Sequence, residues 1–218
     1  GVRDPPGLVV ARTWFNPNSD TLWSTVPGLF AVLTTSVAMM VSALSVARER
    51  ELGSFEQLLV SPLTSVEILA GKAASALLIA VAETSTIMLI AMYVLGVPME
   101  GSMLLLYAAM LVYLLSIIGI GLFISALAST QQQAIIGSFM FLAPAILLSG
   151  YATPVSNMPD WLQTLTLLNP VRHFVVIAKG SFLKDLPIDV VAAHLWPLAL
   201  IAAATLSAAT WLFRFKTA

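Results

Sequence analysis

The sequence predicts an all-α integral membrane protein. Five transmembrane helices, a re-entrant helical hairpin and one short helix at the cytoplasmic surface make up the expected fold. Three observations predict it. Of 218 residues, 59% are hydrophobic and only 10% charged, where soluble domains carry about 25% charge. Five long apolar stretches recur along the chain, and about 18 such residues suffice for a membrane helix. Helix caps, prolines and charges gather between those stretches.

The same composition excludes other classes. Net charge is −1, with no basic stripe, so a nucleic-acid partner is not expected. There are no cysteines, hence no disulfide, thiol nucleophile or thiolate metal site. The two histidines, His173 and His194, are too few for a histidine-rich metal site, and no metal is expected.

The elements follow in order. The chain opens "GVRDPPGLVV", without a methionine or a charged-then-apolar leader, and residues 1–21 read as the tail of something longer. The first span is 22–47. Trp14, Phe15, Trp23 and Phe30 near its entry suggest an interfacial aromatic belt. The second span, 65–95, begins at "TSVE", where Thr64 and Glu67 have capping-box spacing. "GVPMEGS" turns the chain into the third span, 102–128. "STQQQ" leads to a short fourth span, 133–149, interrupted by Pro144. The fifth is 190–213, with Pro197 near its start.

Residues 150–189 do not fit a span. They predict two short helices, 160–168 and 171–183, parted at Asn169–Pro170 because a residue before proline avoids the helical region. A hairpin that dips into one face is expected, covered by protein or facing a wet cavity. Five spans put the termini on opposite sides. Arg48, Arg50, Arg214 and Lys216 abut helix ends, which places that side in the cytoplasm.

Between the first two spans runs "RERELGSFEQLLVSPLT", residues 48–64. Ser54 and Gln57 have capping-box spacing, and Leu52, Phe55, Leu58 and Leu59 recur at helical intervals. Pro62 stops the pattern. Two turns of helix do not hold alone in water. Lipid headgroups or a protein partner must cover the apolar face, and the pattern leaves both open.

Polar groups inside the spans are costly. Glu83 lies mid-span, followed by Thr84, Ser85 and Thr86, where a charge costs about 2.5–3.5 kcal/mol on insertion scales. It reads either as a protonated or hydrogen-bonded lock between helices or as part of a polar path. Lys72 is expected to snorkel to the cytoplasmic interface. Thr34, Thr35, Ser36, Ser42 and Ser45 on the first span suit close helix contacts or a wet lining. His173, beside Arg172 at the head of a re-entrant helix, reads as an interfacial group capped by water.

The segment Arg48-Glu49-x-Glu51-x-Gly53-Ser54-x-Glu56-x-Leu58-x-x-Ser61-Pro62, with Lys72 further on, resembles the segment after the second membrane helix of export-type ABC-transporter permeases, the second permease type. "WFNPN" before "VPG", "LGVPMEGS", "LSGYATPVSNMP" and "NPVRHFV" resemble later landmarks of that family, in order. The drug-efflux-like subgroup, with a large extracytoplasmic domain and a periplasmic adaptor, is the most similar. The resemblance implies that residues 1–21 are the tail of that domain and 22–218 the permease domain, the first span and most of the domain being missing from this chain.

It further implies a coupling helix within 48–64, with Arg48, Glu49, Arg50, Glu51, Gly53, Ser54, Phe55, Glu56, Leu58, Leu59 and Pro62 serving an ABC ATPase subunit. That subunit would bind ATP and magnesium; this chain would hold no cofactor. A second permease copy or paralogue would complete a dimer in the bacterial inner membrane, among its lipids. The first and fourth spans would then face the dimer axis, making Thr35, Ser36, Met39, Met40, Phe139 and Met140, with Glu83, candidates for the path of an amphiphilic drug-like or lipid substrate. Tyr151, Pro154, Pro159, Asn169, Pro170, Arg172 and His173 would form an extracytoplasmic gate.

Two other functions are compatible with a chain of several spans. A secondary transporter or channel would rely on Glu83 and Lys72 for coupling, and shows internal repeats that are absent here. An intramembrane serine protease would use Ser149 with a histidine, without the usual strained glycine-serine context. "AGKAAS" is no phosphate-binding loop, since neither serine nor threonine follows Lys72 and no strand precedes it.

Overall fold

A computed structural model of the chain describes residues 21–54, 62–184 and 186–217. Seven α-helices run through these residues, with no strand among them. They are α1 (Thr21–Glu51), α2 (Ser65–Leu89), α3 (Met103–Leu127), α4 (Gln131–Leu147), α5 (Asp160–Leu165), α6 (Pro170–Leu183) and α7 (Ile188–Thr217).

Local chemistry explains most of the boundaries. Thr64 and Glu67 close the anticipated capping box at the start of α2: the Glu67 N–H donates to Thr64 Oγ1, and the Thr64 N–H donates to Glu67 Oε2. Ser102 caps α3 by accepting from the Leu105 N–H. Asn169 caps α6 by accepting from the Val171 N–H, with Pro170 in the first helical turn, where its missing N–H costs nothing. The far end of α2 widens into a π turn, Ile90–Val94.

Several boundaries differ from expectation, α7 among them, which runs Ile188–Thr217 where 190–213 is expected. Helix α1 runs on to Glu51, with Arg48 and Arg50 in its last turn, where cations suit the negative end of the helix dipole. Helix α4 starts at Gln131, because Thr130 caps it by accepting from the Gln133 N–H.

Four helices, α1, α2, α3 and α7, are long and apolar enough to cross a membrane. Helix α4, an apolar helix of 17 residues, reaches about 26 Å and falls just short of a hydrocarbon core of about 30 Å.

Helices α1 and α3 form the centre. Half of the most apolar window of each is buried, against 22% for α2 and 17% for α7. Helix α3 reaches its neighbours on two faces through glycines. A Cβ at Gly121 would stand 1.9 Å from Ser42 Oγ of α1, and one at Gly119 would stand 2.9 Å from the Leu206 nitrogen of α7. Small residues permit such close crossings.

Helix α6 packs into this centre. Its Phe174 ring stacks on Tyr113 of α3 at 4.1 Å, and Phe30 of α1 meets Phe182 edge-on at 5.5 Å. Phe30, expected in an interfacial belt, is instead a core residue at 1% exposure, because the α6 rings cover it. Trp14 and Phe15 lie outside the described residues.

Candidate functional site

The end of the bundle that carries Arg48 is built by four consecutive residues. Successive helix positions point roughly 100° apart, so the last turn of α1 faces several neighbours at once. Glu49 turns to α2: its Oε1 lies 2.6 Å from Lys72 Nζ, and Lys72 also donates to the Ser45 carbonyl of α1. Arg50 turns to α3 and donates to the carbonyls of Ala126 (2.8 Å) and Ala128 (3.1 Å). Glu51 turns to α4, where its Oε2 accepts the Gln131 N–H at 2.7 Å. Arg48 is exposed.

Each contact is electrostatically sensible. A helix leaves its first N–H groups and last carbonyls unpaired. An arginine on the carbonyl end of α3 and a carboxylate on the amide end of α4 match the two dipole ends. Lys216 of α7 reaches the same α3 terminus, donating to the Leu127 carbonyl at 3.2 Å. Lys72, expected to snorkel to the cytoplasmic interface, ends on Glu49 at the Arg48 end of the bundle, and its side chain is only 12% exposed. Sequence spacing gave no hint of this partner, since the two residues sit on different helices.

Past Glu51 the chain turns at Gly53, whose φ of +74° suits glycine at a helix C-terminus. Ser54 Oγ donates to the Glu49 carbonyl at 3.4 Å. Phe55, Glu56, Leu58 and Leu59 lie outside the described residues. Pro62 is exposed. A cleft of about 550 Å³ opens here between α1 and α2, lined among others by Ser45, Arg48, Glu49, Glu67 and Lys72. Among the described residues, Glu49 Oε2 is buried and meets no hydrogen-bond partner.

The six candidate path residues on α1 and α4 do not share one surface. Thr35 is wholly buried, donates to the Ala31 carbonyl and bonds the Tyr113 hydroxyl. Met39 is wholly buried, while Met40 is half-buried. Ser36 donates to its own helix at Val32. Phe139 and Met140 are 57% and 75% exposed on the outside of α4, in one stripe with Ile136 and Leu147. On α2, half-buried Glu83 accepts from Thr84 Oγ1 at 3.4 Å, and Ser85 accepts from the Tyr107 hydroxyl of α3.

At the opposite end the candidate gate residues are stitched together. Asn169, besides capping α6, donates through Nδ2 to the Ala145 carbonyl of α4 at 2.7 Å. Arg172 donates to the Gln163 carbonyl and to Thr166 Oγ1. His173 Nε2 meets the Leu167 carbonyl at 2.9 Å, and its Nδ1 faces His194 Nδ1 of α7 at 3.0 Å. The His173 partner is thus a second histidine, where water was expected. Burial holds the His173 pKa below the ordinary histidine value, and the Arg172 charge adds to this.

Tyr151 lies against Gly28 of α1, with Lys179 Nζ 5.8 Å over its ring. Pro154 and Pro159 precede a short 3-10 turn and α5 respectively. Ser149 donates to the Ile146 carbonyl and accepts from the Tyr151 N–H. No hydrogen bond joins it to either histidine, so no serine-histidine dyad is assembled. Among the described residues no three His, Asp or Glu side chains gather as a metal site.

These features define an all-α polytopic membrane protein whose charged helix end is bound to its neighbours. A family profile described as "ABC-2 type transporter" matches residues 7–183, and the chain belongs to that family. It is 52% identical over 208 residues to the probable multidrug ABC transporter permease YbhR of Escherichia coli K12, covering 95% of this chain and 56% of that protein. The probable multidrug ABC transporter permease YbhS of the same organism is 32% identical, covering 94% and 54%. Its inner membrane transport permease YhhJ is also 32% identical, covering 89% and 51%. The chain therefore spans about half the length of these relatives.

Proposed function

We propose that the chain is the membrane-spanning part of a permease subunit in an ATP-driven exporter. The observation that carries the reading is family membership across residues 7–183, a range that includes the charged segment leaving α1. In this reading the segment 48–64 docks on a separate ATPase subunit, which binds ATP and magnesium. Helix α4 serves as a fifth span, and α5 with α6 forms a re-entrant hairpin on the extracytoplasmic side. The Arg48 end faces the cytoplasm, as the basic residues abutting helix ends favour.

Two copies, or this chain and a paralogue, enclose the path. The exposed apolar stripe of Ile136, Phe139, Met140 and Leu147 on α4 suits such a partner face. The naming of two relatives as probable multidrug permeases supports an amphiphilic drug-like or lipid substrate. A periplasmic adaptor completes the exporter.

The test is reconstitution of the full-length permease with its ATPase subunit in proteoliposomes. ATP-dependent movement of a fluorescent amphiphile, abolished by a hydrolysis-deficient ATPase, is the expected result. Movement driven by a proton gradient without ATP would establish a secondary transporter instead.

A further inference from the structure

We infer that Glu49, Arg50 and Glu51 are not contact residues for the ATPase but an internal joint, which passes movement of the segment beyond Gly53 to α2, α3 and α4 together. This rests on the exporter reading and divides the labour within its charged segment. The assignment comes from the directions of three neighbouring side chains. Glu49 is bound to Lys72 of α2, Arg50 to the carbonyl end of α3, and Glu51 to the amide end of α4. All three are bonded to neighbouring helices; Glu49 and Arg50 are half-buried, while Glu51, like Arg48, is exposed.

Three features suit these bonds to transmit movement. They are short, at 2.6, 2.8 and 2.7 Å, and each includes at least one charged group, which makes them stronger than neutral hydrogen bonds. They fan over roughly 200° of the α1 circumference, at roughly 100° per residue. Rotation or translation of this turn must therefore carry three helices or break a charge-assisted bond. The turn is also fixed from within, because Ser125 of α3 accepts hydrogen bonds from the Val46 and Ala47 N–H groups at 2.9 and 3.0 Å. A rigid turn followed by a glycine at φ +74° is a lever end with a defined exit.

The two helix-end contacts matter most, since they seize both sides of the short turn between α3 and α4. Arg50 holds carbonyls on its α3 side, and Glu51 holds the first N–H of α4. A displacement of the α1 end then reaches α4 without passing through the length of α3.

The test uses the full-length permease with its ATPase subunit in proteoliposomes and reads substrate moved per ATP hydrolysed. Glu51→Ala removes the acceptor for the Gln131 N–H, and transport per ATP is expected to fall about tenfold, the scale of one hydrogen bond to a charged group. Glu51→Gln keeps an acceptor oxygen and is expected to recover most of the ratio. Glu49→Lys lowers it, and combining Glu49→Lys with Lys72→Glu restores it by reversing the pair.

An unchanged ratio in Glu51→Ala overturns the joint alone. So does a loss of transport fully matched by lost hydrolysis or lost assembly, which is the signature of a docking contact. A wild-type complex without ATP-dependent transport overturns the exporter reading and the joint together.

Discussion

Glu49 Oε1 and Lys72 Nζ stand 2.6 Å apart and join the last turn of α1 to the second turn of α2. The pair is mostly shielded, with side-chain exposures of 26% and 12%. Screening by water is therefore weaker than at an open surface, and removing one partner leaves the other charge partly desolvated. Lys72→Ala is expected to lower stability by about 1–2 kcal/mol, more than the Lys72→Ala/Glu49→Ala double variant does. Thermal unfolding of the full-length permease in detergent reads this. Strictly additive single effects would show that the two groups do not act as a pair.

The aromatic stack at the centre gives a second test. Phe174 is fully buried and lies against both Tyr113 and Phe30. Phe174→Ala is expected to cost about 3–5 kcal/mol through lost contacts and an unfilled cavity. Tyr113→Phe keeps the ring and removes only the hydroxyl bonded to Thr35, so about 1 kcal/mol is expected. Comparable losses from the two variants would contradict a stack that is held mainly by packing.

Gly119 tests the crossing of α3 and α7. An added methyl would stand 2.9 Å from the Leu206 backbone nitrogen and 2.3 Å from Thr205 Oγ1. The threonine can turn away, but the backbone must move. Gly119→Ala is expected to destabilise by about 1–3 kcal/mol, as overpacking does. Combining it with Thr205→Ala should recover only part of that loss. Full recovery would mean that the side chain alone sets the spacing.

His173 predicts a pH dependence. Burial, aided by the Arg172 charge, favours the neutral ring in the fold. The unfolded chain takes up a proton near the ordinary value of 6.5, before the folded chain does. Stability contributed by this group is therefore complete above that value and is lost as pH falls toward the lowered one. The unfolding temperature should drop from pH 7 to about 5, and His173→Gln should flatten the drop. An equally steep profile in the variant would assign the effect elsewhere.

Much of the fold was legible in the residue order, because what sets it is local. Apolar runs longer than the hydrocarbon is thick must be helices, since lipid offers no partner for an open backbone. Thr64 with Glu67, and Asn169 before Pro170, mark helix starts through bonds within a few residues. The break between α5 and α6 belongs to the same kind of signal. The family landmarks were legible for that reason too, as spaced motifs in order.

The sequence by itself thus determined that the chain is helical, membrane-borne and interrupted by a charged segment after α1. Only the tertiary structure decided which helices stand at the centre and which side chains meet. A soluble helix advertises its buried face by contrast with its polar one. In lipid that contrast fades, because the outer face is as apolar as the inner, and α3 is apolar nearly throughout. Hence Phe30 looked interfacial and is core, Thr35 and Met39 looked alike to Phe139 and Met140 and lie on opposite sides of the burial divide, and spacing did not show Glu49 as the partner of Lys72. The direction of each side chain around its helix, fixed by neighbours far along the chain, turned "RERE" from a run of charges into three separate bonds to three helices.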